Sequence, residues 1–179
     1  MPAHPDAILQ DQEGRSILRF ERILDHPPER VWRALTDAAE QSSWHPTPFE
    51  LEPFVGGKVT YLGEGKAPDM PAGEITDYDP PRLVAHTWDQ DLLRWELEAH
   101  GDRGCRLVLL HTFDDRFKAA RDAAGWHLCL DALSIALDGA EPPSAWDGSE
   151  PSVDWRSLNS AYEKRFDIPA AKATPPPGG

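Results

Sequence analysis

Cysteine is scarce in this sequence, with Cys105 and Cys129 the only two in 179 residues. Their separation fits neither a CxxC pair nor a zinc-ligand spacing. A disulfide framework and a thiolate metal centre are therefore excluded, and free thiols in a reducing compartment are the simplest account. Basic residues are outnumbered, with 18 Lys and Arg against 31 Asp and Glu, a formal net charge of -13. Phosphate backbones and anionic lipid surfaces need clustered cations, so neither nucleic acid nor a membrane is an expected partner. No run approaches the roughly 20 apolar residues of a membrane helix. The segment Met1 to Gln10 lacks the basic-then-apolar pattern of a secretory signal, so the expected location is cytoplasmic. No GxGxxG precedes a helix, no GxSxG elbow occurs, and no Cys/His cluster has metal-ligand spacing. No cofactor and no metal are expected.

What is present suits one globular domain with a tail, 40% hydrophobic and 27% charged. Residues 1–14 read as a flexible N-terminal arm. Ser16 to Leu24 alternates as a strand, with Leu18, Phe20 and Leu24 on one parity. Pro27 and Pro28 open a helix carrying Val31, Trp32 and Leu35, and Thr36-Asp37 caps a second short one. Strands are expected at Phe49–Phe54, Lys58–Leu62, Gly73–Tyr78, Leu83–Trp88, Leu93–Ala99 and Arg106–Phe113. The glycine pair Gly56-Gly57 marks a hairpin, and Gly63 to Asp69 has the composition of a loop. In Leu93–Ala99, apolar and charged residues alternate without a break, which should turn Trp95 and Leu97 inward and Arg94, Glu96 and Glu98 outward. Strands joined by short turns suit an antiparallel meander. The long helix spans Lys118 to Leu137, with Trp126, Leu130, Leu133 and Leu137 on one stripe and Gly139 at its C-terminal cap. Residues 141–179 form a Pro-rich extension with a short helix over 155–166, and Trp146 and Trp155 should fasten this tail back onto the domain.

The expected fold class is thus α+β: a helix-grip domain over residues 15–140, in which a curved antiparallel sheet wraps around a long C-terminal helix. Four segments carry a resemblance. They are Val31-Trp32-Arg33-Ala34-Leu35-Thr36-Asp37 running to Trp44; Gly56-Gly57; Gly73-Glu74-Ile75 with Asp79-Pro80-Pro81-Arg82-Leu83 and Trp88; and Gly125-Trp126 with Leu130, Asp131 and Leu133. Their order and spacing resemble the SRPBCC (Bet v 1-like, START-like) superfamily, in the branch similar to the C-terminal domain of the activator of Hsp90 ATPase. The resemblance implies a cavity between sheet and long helix. It implies no single reaction, because that superfamily includes carriers, cyclases and sensors.

The candidate ligand-binding residues are Trp44, Phe54, Tyr61, His86, Trp88, Trp95, Trp126 and Leu130. The indoles offer large apolar area; plain core packing is the better account of any one of them alone, and the set around one cavity is what points to a ligand. His86 shares strand parity with Trp88 and is the polar candidate, with Tyr61 as a second orienting group. His111 and His127 have structural readings, His127 at the cavity edge or in solvent, and Asp131 reads as an exposed helix charge. The loop Gly63 to Pro71 is a candidate lid. The expected partner is a small apolar or amphipathic molecule; a homodimer is left open. Two alternatives stand beside binding: an enzyme of cyclisation, dehydration or hydrolysis on the same cavity, and a chaperone-linked interaction module. No catalytic residue is singled out.

Overall fold

A computed structural model describes residues 5–62, 70–144, 146–147 and 150–175. The proposed lid falls mostly on residues 63–69, and the Trp146 side chain is likewise outside what is described. The fold is the helix grip. Eight antiparallel strands form one sheet in the order β1-β2-β8-β7-β6-β5-β4-β3. These are β1 (Ile8–Gln12), β2 (Arg15–Leu24), β3 (Phe49–Leu51), β4 (Lys58–Tyr61), β5 (Gly73–Asp79), β6 (Leu83–Trp88), β7 (Asp91–His100) and β8 (Gly104–Phe113). Helices α1 (Pro28–Thr36) and α2 (Ala38–Gln41) cross between β2 and β3, and the long helix α3 (Ala119–Leu137) follows β8. Strands β9 (Trp146–Asp147) and β10 (Glu150–Pro151) make a small ribbon before α4 (Val153–Arg165).

The segment read as a flexible arm is an edge strand over half of its described length. The Glu13-Gly14 turn, both residues at positive φ (52° and 83°), folds β1 back onto β2. Two such residues match the twist of a two-residue hairpin, and glycine takes the second at no steric cost. The strand was hard to read because it lies outside the core: only Leu9 among its five residues is even partly buried.

The centre of the sheet follows its alternation. Leu93, Trp95 and Leu97 of β7 are buried, and across β8 they face His111, Leu109 and Leu107. The same inner face carries His86 opposite Leu93 and Trp88 opposite Asp91. Trp88, Asp91 and His111 therefore gather at one end of the sheet, on the side that meets α3.

Asp37 caps α2, its carboxylate accepting from the amides of Ala39 (2.9 Å) and Glu40 (3.3 Å). A 3-10 turn at Arg116–Lys118, capped by Asp115, leads into α3. At the far end Gly139 takes φ +80°, so that Gly139 N donates to Ala136 O and Ala140 N to Ile135 O, which satisfies the last carbonyls. The stripe Trp126, Leu130, Leu133 and Leu137 is buried as expected. Burial continues around the helix through Ala124, His127 and Ala132, because the C-terminal extension covers α3 from outside.

In α4, Trp155, Leu158 and Tyr162 pack at helical spacing, so the extension is a folded layer of the structure. The Tyr162 hydroxyl accepts from the amides of Asp6 (3.2 Å) and Ala7 (3.3 Å) and lies 2.8 Å from His127 Nδ1. This corrects the reading of His127, which is buried beneath α4 and does not border a cavity. Asp131 is half-exposed beside Arg22 and His127.

Candidate functional site

A cavity of about 890 Å³ opens beside α3. Its walls come from five places: the turn after α2, Met70 ahead of β5, the β6–β7 end of the sheet, one flank of α3, and the segment Glu141–Ser144 together with Trp155. The flank of α3 runs Lys118, Asp122, Gly125, Cys129 and Ala132, spaced four, three, four and three, so all share one side of the helix. Three of the five are small, and that leaves the space. A Cβ added at Gly125 would meet nothing within 4 Å.

This position differs from the expectation of a cavity directly between sheet and helix. That interface is filled. Trp95 and Trp126 meet edge-to-face at 5.6 Å, Trp44 and Trp95 at 5.9 Å, and Trp88 and Trp126 at 5.3 Å between ring centroids. Such contacts add to area burial and leave no room for a guest. The cavity is pushed to the side of the helix where side chains are small.

Of the eight sequence candidates, Trp44, Trp88 and Trp126 reach the cavity wall. Trp95 stands behind them, buried and in contact with two of them. Leu130 is core, 1% exposed, on the sheet side of α3. His86 and Tyr61 form a separate buried pair beside Phe49, with Tyr61 Oη 3.2 Å from His86 Nδ1 and donating to Thr87 O. Phe54 is 54% exposed in the β3–β4 connection and takes no part. Its register was misread because the strand ends at Leu51, where the chain turns through Gly56 at φ +85°.

The wall also contains residues that sequence reasoning did not choose. Trp155 enters it from the extension, and His45, Asp91, His111, Lys118 and Asp122 supply polar groups. Asp91 was legible, since it shares parity with Leu93 and Trp95. Trp155 was not, because nothing local says that the tail returns to this flank.

The polar groups form one network. Asp91 Oδ2 accepts from His111 Nε2 at 2.7 Å and from Lys118. Lys118 Nζ also lies 3.8 Å from Asp122, which accepts from Arg121 Nε at 2.8 Å. Trp126 Nε1 donates to His111 Nδ1 at 3.1 Å. An indole N–H can only donate, so His111 Nδ1 is the acceptor and Nε2 carries the proton to Asp91. Both ring nitrogens are thereby engaged. Burial works against the Asp91 carboxylate, but hydrogen bonds and charge from His111 and Lys118 outweigh it and hold its pKa below the ordinary carboxylate range.

Ligand atoms of Asp91, His111 and Asp122 lie within 4.8 Å of one another, close enough to share a cation. The Lys118 ammonium already takes that role, so a metal ion would have to displace it.

His45 is 6% exposed among Trp44, Trp88, Trp126 and Phe49. Thr47 N donates to its Nδ1 at 3.1 Å, so Nε2 bears the proton, and it has no partner among the described residues. Burial, with neighbouring His86 adding to it, pushes its pKa down to about 3. Burial likewise pushes His86 down to about 4. Both imidazoles are neutral at pH 7 and poor bases.

Comparison with known proteins agrees with this architecture. The family described as Activator of Hsp90 ATPase homolog 1-like protein matches residues 25–138. No curated protein matches the chain. Among solved structures, a conserved protein of unknown function from Enterococcus faecalis is similar at 20% identity and TM-score 0.71, covering 90% of each chain. CalU16 from Micromonospora echinospora is similar at 20% identity and TM-score 0.66, covering 93% of this chain and 96% of its own. A Bordetella parapertussis protein is 29% identical, with TM-score 0.63, covering 93% of this chain and 91% of its own. The family match spans more than half of the sequence and includes α1 through α3. This chain therefore belongs to the Activator of Hsp90 ATPase homolog 1-like family, of the SRPBCC type.

Proposed function

We propose that this protein binds a small amphipathic molecule in the cavity beside α3. The observation that carries the reading is a cavity of about 890 Å³ walled by Trp44, Trp88, Trp126 and Trp155, with a partly buried ionic network in the same wall. The apolar part of the guest lies against the indoles, and its polar end lies toward the charged residues of the wall. Removing about 200 Å² of apolar ligand surface from water contributes roughly 5 kcal/mol before the costs of association. Binding without turnover is favoured over catalysis by the state of the histidines. His111 has both nitrogens occupied, and His45 and His86 are enclosed and neutral, so none is a free general base. The buried free thiols Cys105 and Cys129 suit a cytoplasmic setting.

Intrinsic tryptophan emission tests the reading, because a guest changes the polarity around the wall indoles. A saturable change is expected on titration with small aromatic compounds. Trp88→Ala and Trp155→Ala should each weaken the affinity about tenfold, the size expected for losing one large aromatic contact. Saturable binding untouched by both variants would put the site elsewhere. Turnover of a bound compound, abolished by Asp91→Asn, would replace this reading with an enzymatic one.

A further inference from the structure

Every charged side chain in the cavity wall can be assigned a partner or found to lack one. Lys118 and Arg121 are the two cations among its described residues, and both are engaged, Lys118 with Asp91 and Asp122 and Arg121 with Asp122. These four groups balance one another. Two further wall residues, Asp89 and Glu141, are exposed carboxylates with no ion pair among the described residues. Asp89 sits in the β6–β7 turn, and Glu141 lies in the segment that leaves α3, so two different elements bring an exposed carboxylate to the wall. Among the described residues the uncommitted charge of the wall is therefore entirely negative, on a chain whose formal net charge is -13. Four indoles in the same wall offer aromatic contact to the hydrocarbon part of a guest.

We infer that the guest of this cavity is cationic, an aromatic or apolar amine whose ammonium group sits toward Asp89 and Glu141 while its hydrocarbon part lies against Trp88, Trp126 and Trp155. This rests on the binding reading above and specifies its ligand class. An anionic guest would face two unneutralised carboxylates and would have to strip Lys118 or Arg121 from a satisfied, mostly buried network, which is costly. A neutral guest would gain the apolar contact alone.

Three probes of nearly equal shape separate these cases: naphthylethylamine, naphthylethanol and naphthylacetate, titrated by calorimetry at neutral pH and low salt. The amine should bind about fivefold more tightly than the alcohol, the effect of two solvent-exposed ion pairs, and the acetate should bind more weakly than the alcohol. In Asp89→Asn/Glu141→Gln the amine should fall to within about twofold of the alcohol. The control Glu50→Gln/Glu98→Gln changes the net charge equally on surfaces away from the cavity and should keep the preference. Acetate binding as tight as the amine, or a preference that survives the Asp89→Asn/Glu141→Gln variant or is lost in the control, would overturn the inference. If the alcohol binds in the cavity with no advantage for the amine, the inference fails and the binding reading stands. If none of the three binds, both fail.

Discussion

Mild acid should destabilise this fold strongly through two buried histidines. His86 is 0% and His45 6% exposed, and each has a ring nitrogen without a partner among the described residues. Burial lowers both pKa values from an ordinary 6.5, to about 3 for His45 and about 4 for His86. The folded protein thus keeps both rings neutral in a range where the unfolded chain protonates them. Stability contributed by neutral burial is present above pH 6.5 and is lost as the pH falls from there toward the folded values. At pH 5 both folded values lie below the solution pH, so the loss depends only on the unfolded value and comes to about 2 kcal/mol for each group, roughly 4 kcal/mol together. That is a large fraction of the roughly 5–15 kcal/mol that holds an ordinary domain. Asp91 and Asp6, whose pKa values are held below 3.8, act at lower pH and leave this window to the histidines. Urea denaturation at pH 7 and pH 5 reads the effect directly, and His86→Gln should remove about half of the difference, whatever its own effect on stability. A free energy of unfolding that is the same at pH 7 and pH 5 would mean that these rings are solvated or paired, and the packing described around Phe49 would be wrong.

Three further outcomes follow from α3. Gly125→Ala should stabilise the protein by about 0.5–1 kcal/mol, because the added methyl meets no atom and helix propensity improves. Gly125→Phe should fold with a near-native melting temperature and bind no small aromatic probe, its ring taking the guest's place; retained probe affinity would contradict the cavity's location. Leu133→Ala removes a side chain 1% exposed against the sheet and should cost about 2–5 kcal/mol in chemical denaturation. A loss below about 1 kcal/mol would contradict the grip.

The parts of this fold that were legible in the sequence are those set by local periodicity. The alternation of Leu93–Ala99 fixed which side of β7 is buried, and the stripe Trp126, Leu130, Leu133 fixed the inner face of α3. Gly139 marked the end of that helix for a stereochemical reason that holds in any fold. The candidate site was legible only in part, since pattern reports burial and does not distinguish a cavity wall from a filled interior. Trp95 and Trp126 look alike in sequence, yet one lies behind the other. The gap depends on small residues, Gly125, Cys129 and Ala132, which carry no signal of their own. Trp155 and Glu141 reach the wall because the extension folds back onto α3, held by Tyr162 against His127 and the Asp6-Ala7 segment just before β1, contacts more than thirty residues apart in the chain.

The central claim, that a guest binds beside α3 and not elsewhere, is tested most directly by the indole N–H resonances of the seven tryptophans. They are to be assigned by single substitutions and followed during titration with naphthylethylamine. The signals of Trp44, Trp88, Trp126 and Trp155 should shift with one common saturation curve. That of Trp32, edge-on to Tyr78 at 5.6 Å and outside the cavity, should stay fixed. Saturable shifts at Trp32, with Trp88, Trp126 and Trp155 unmoved, would contradict the account.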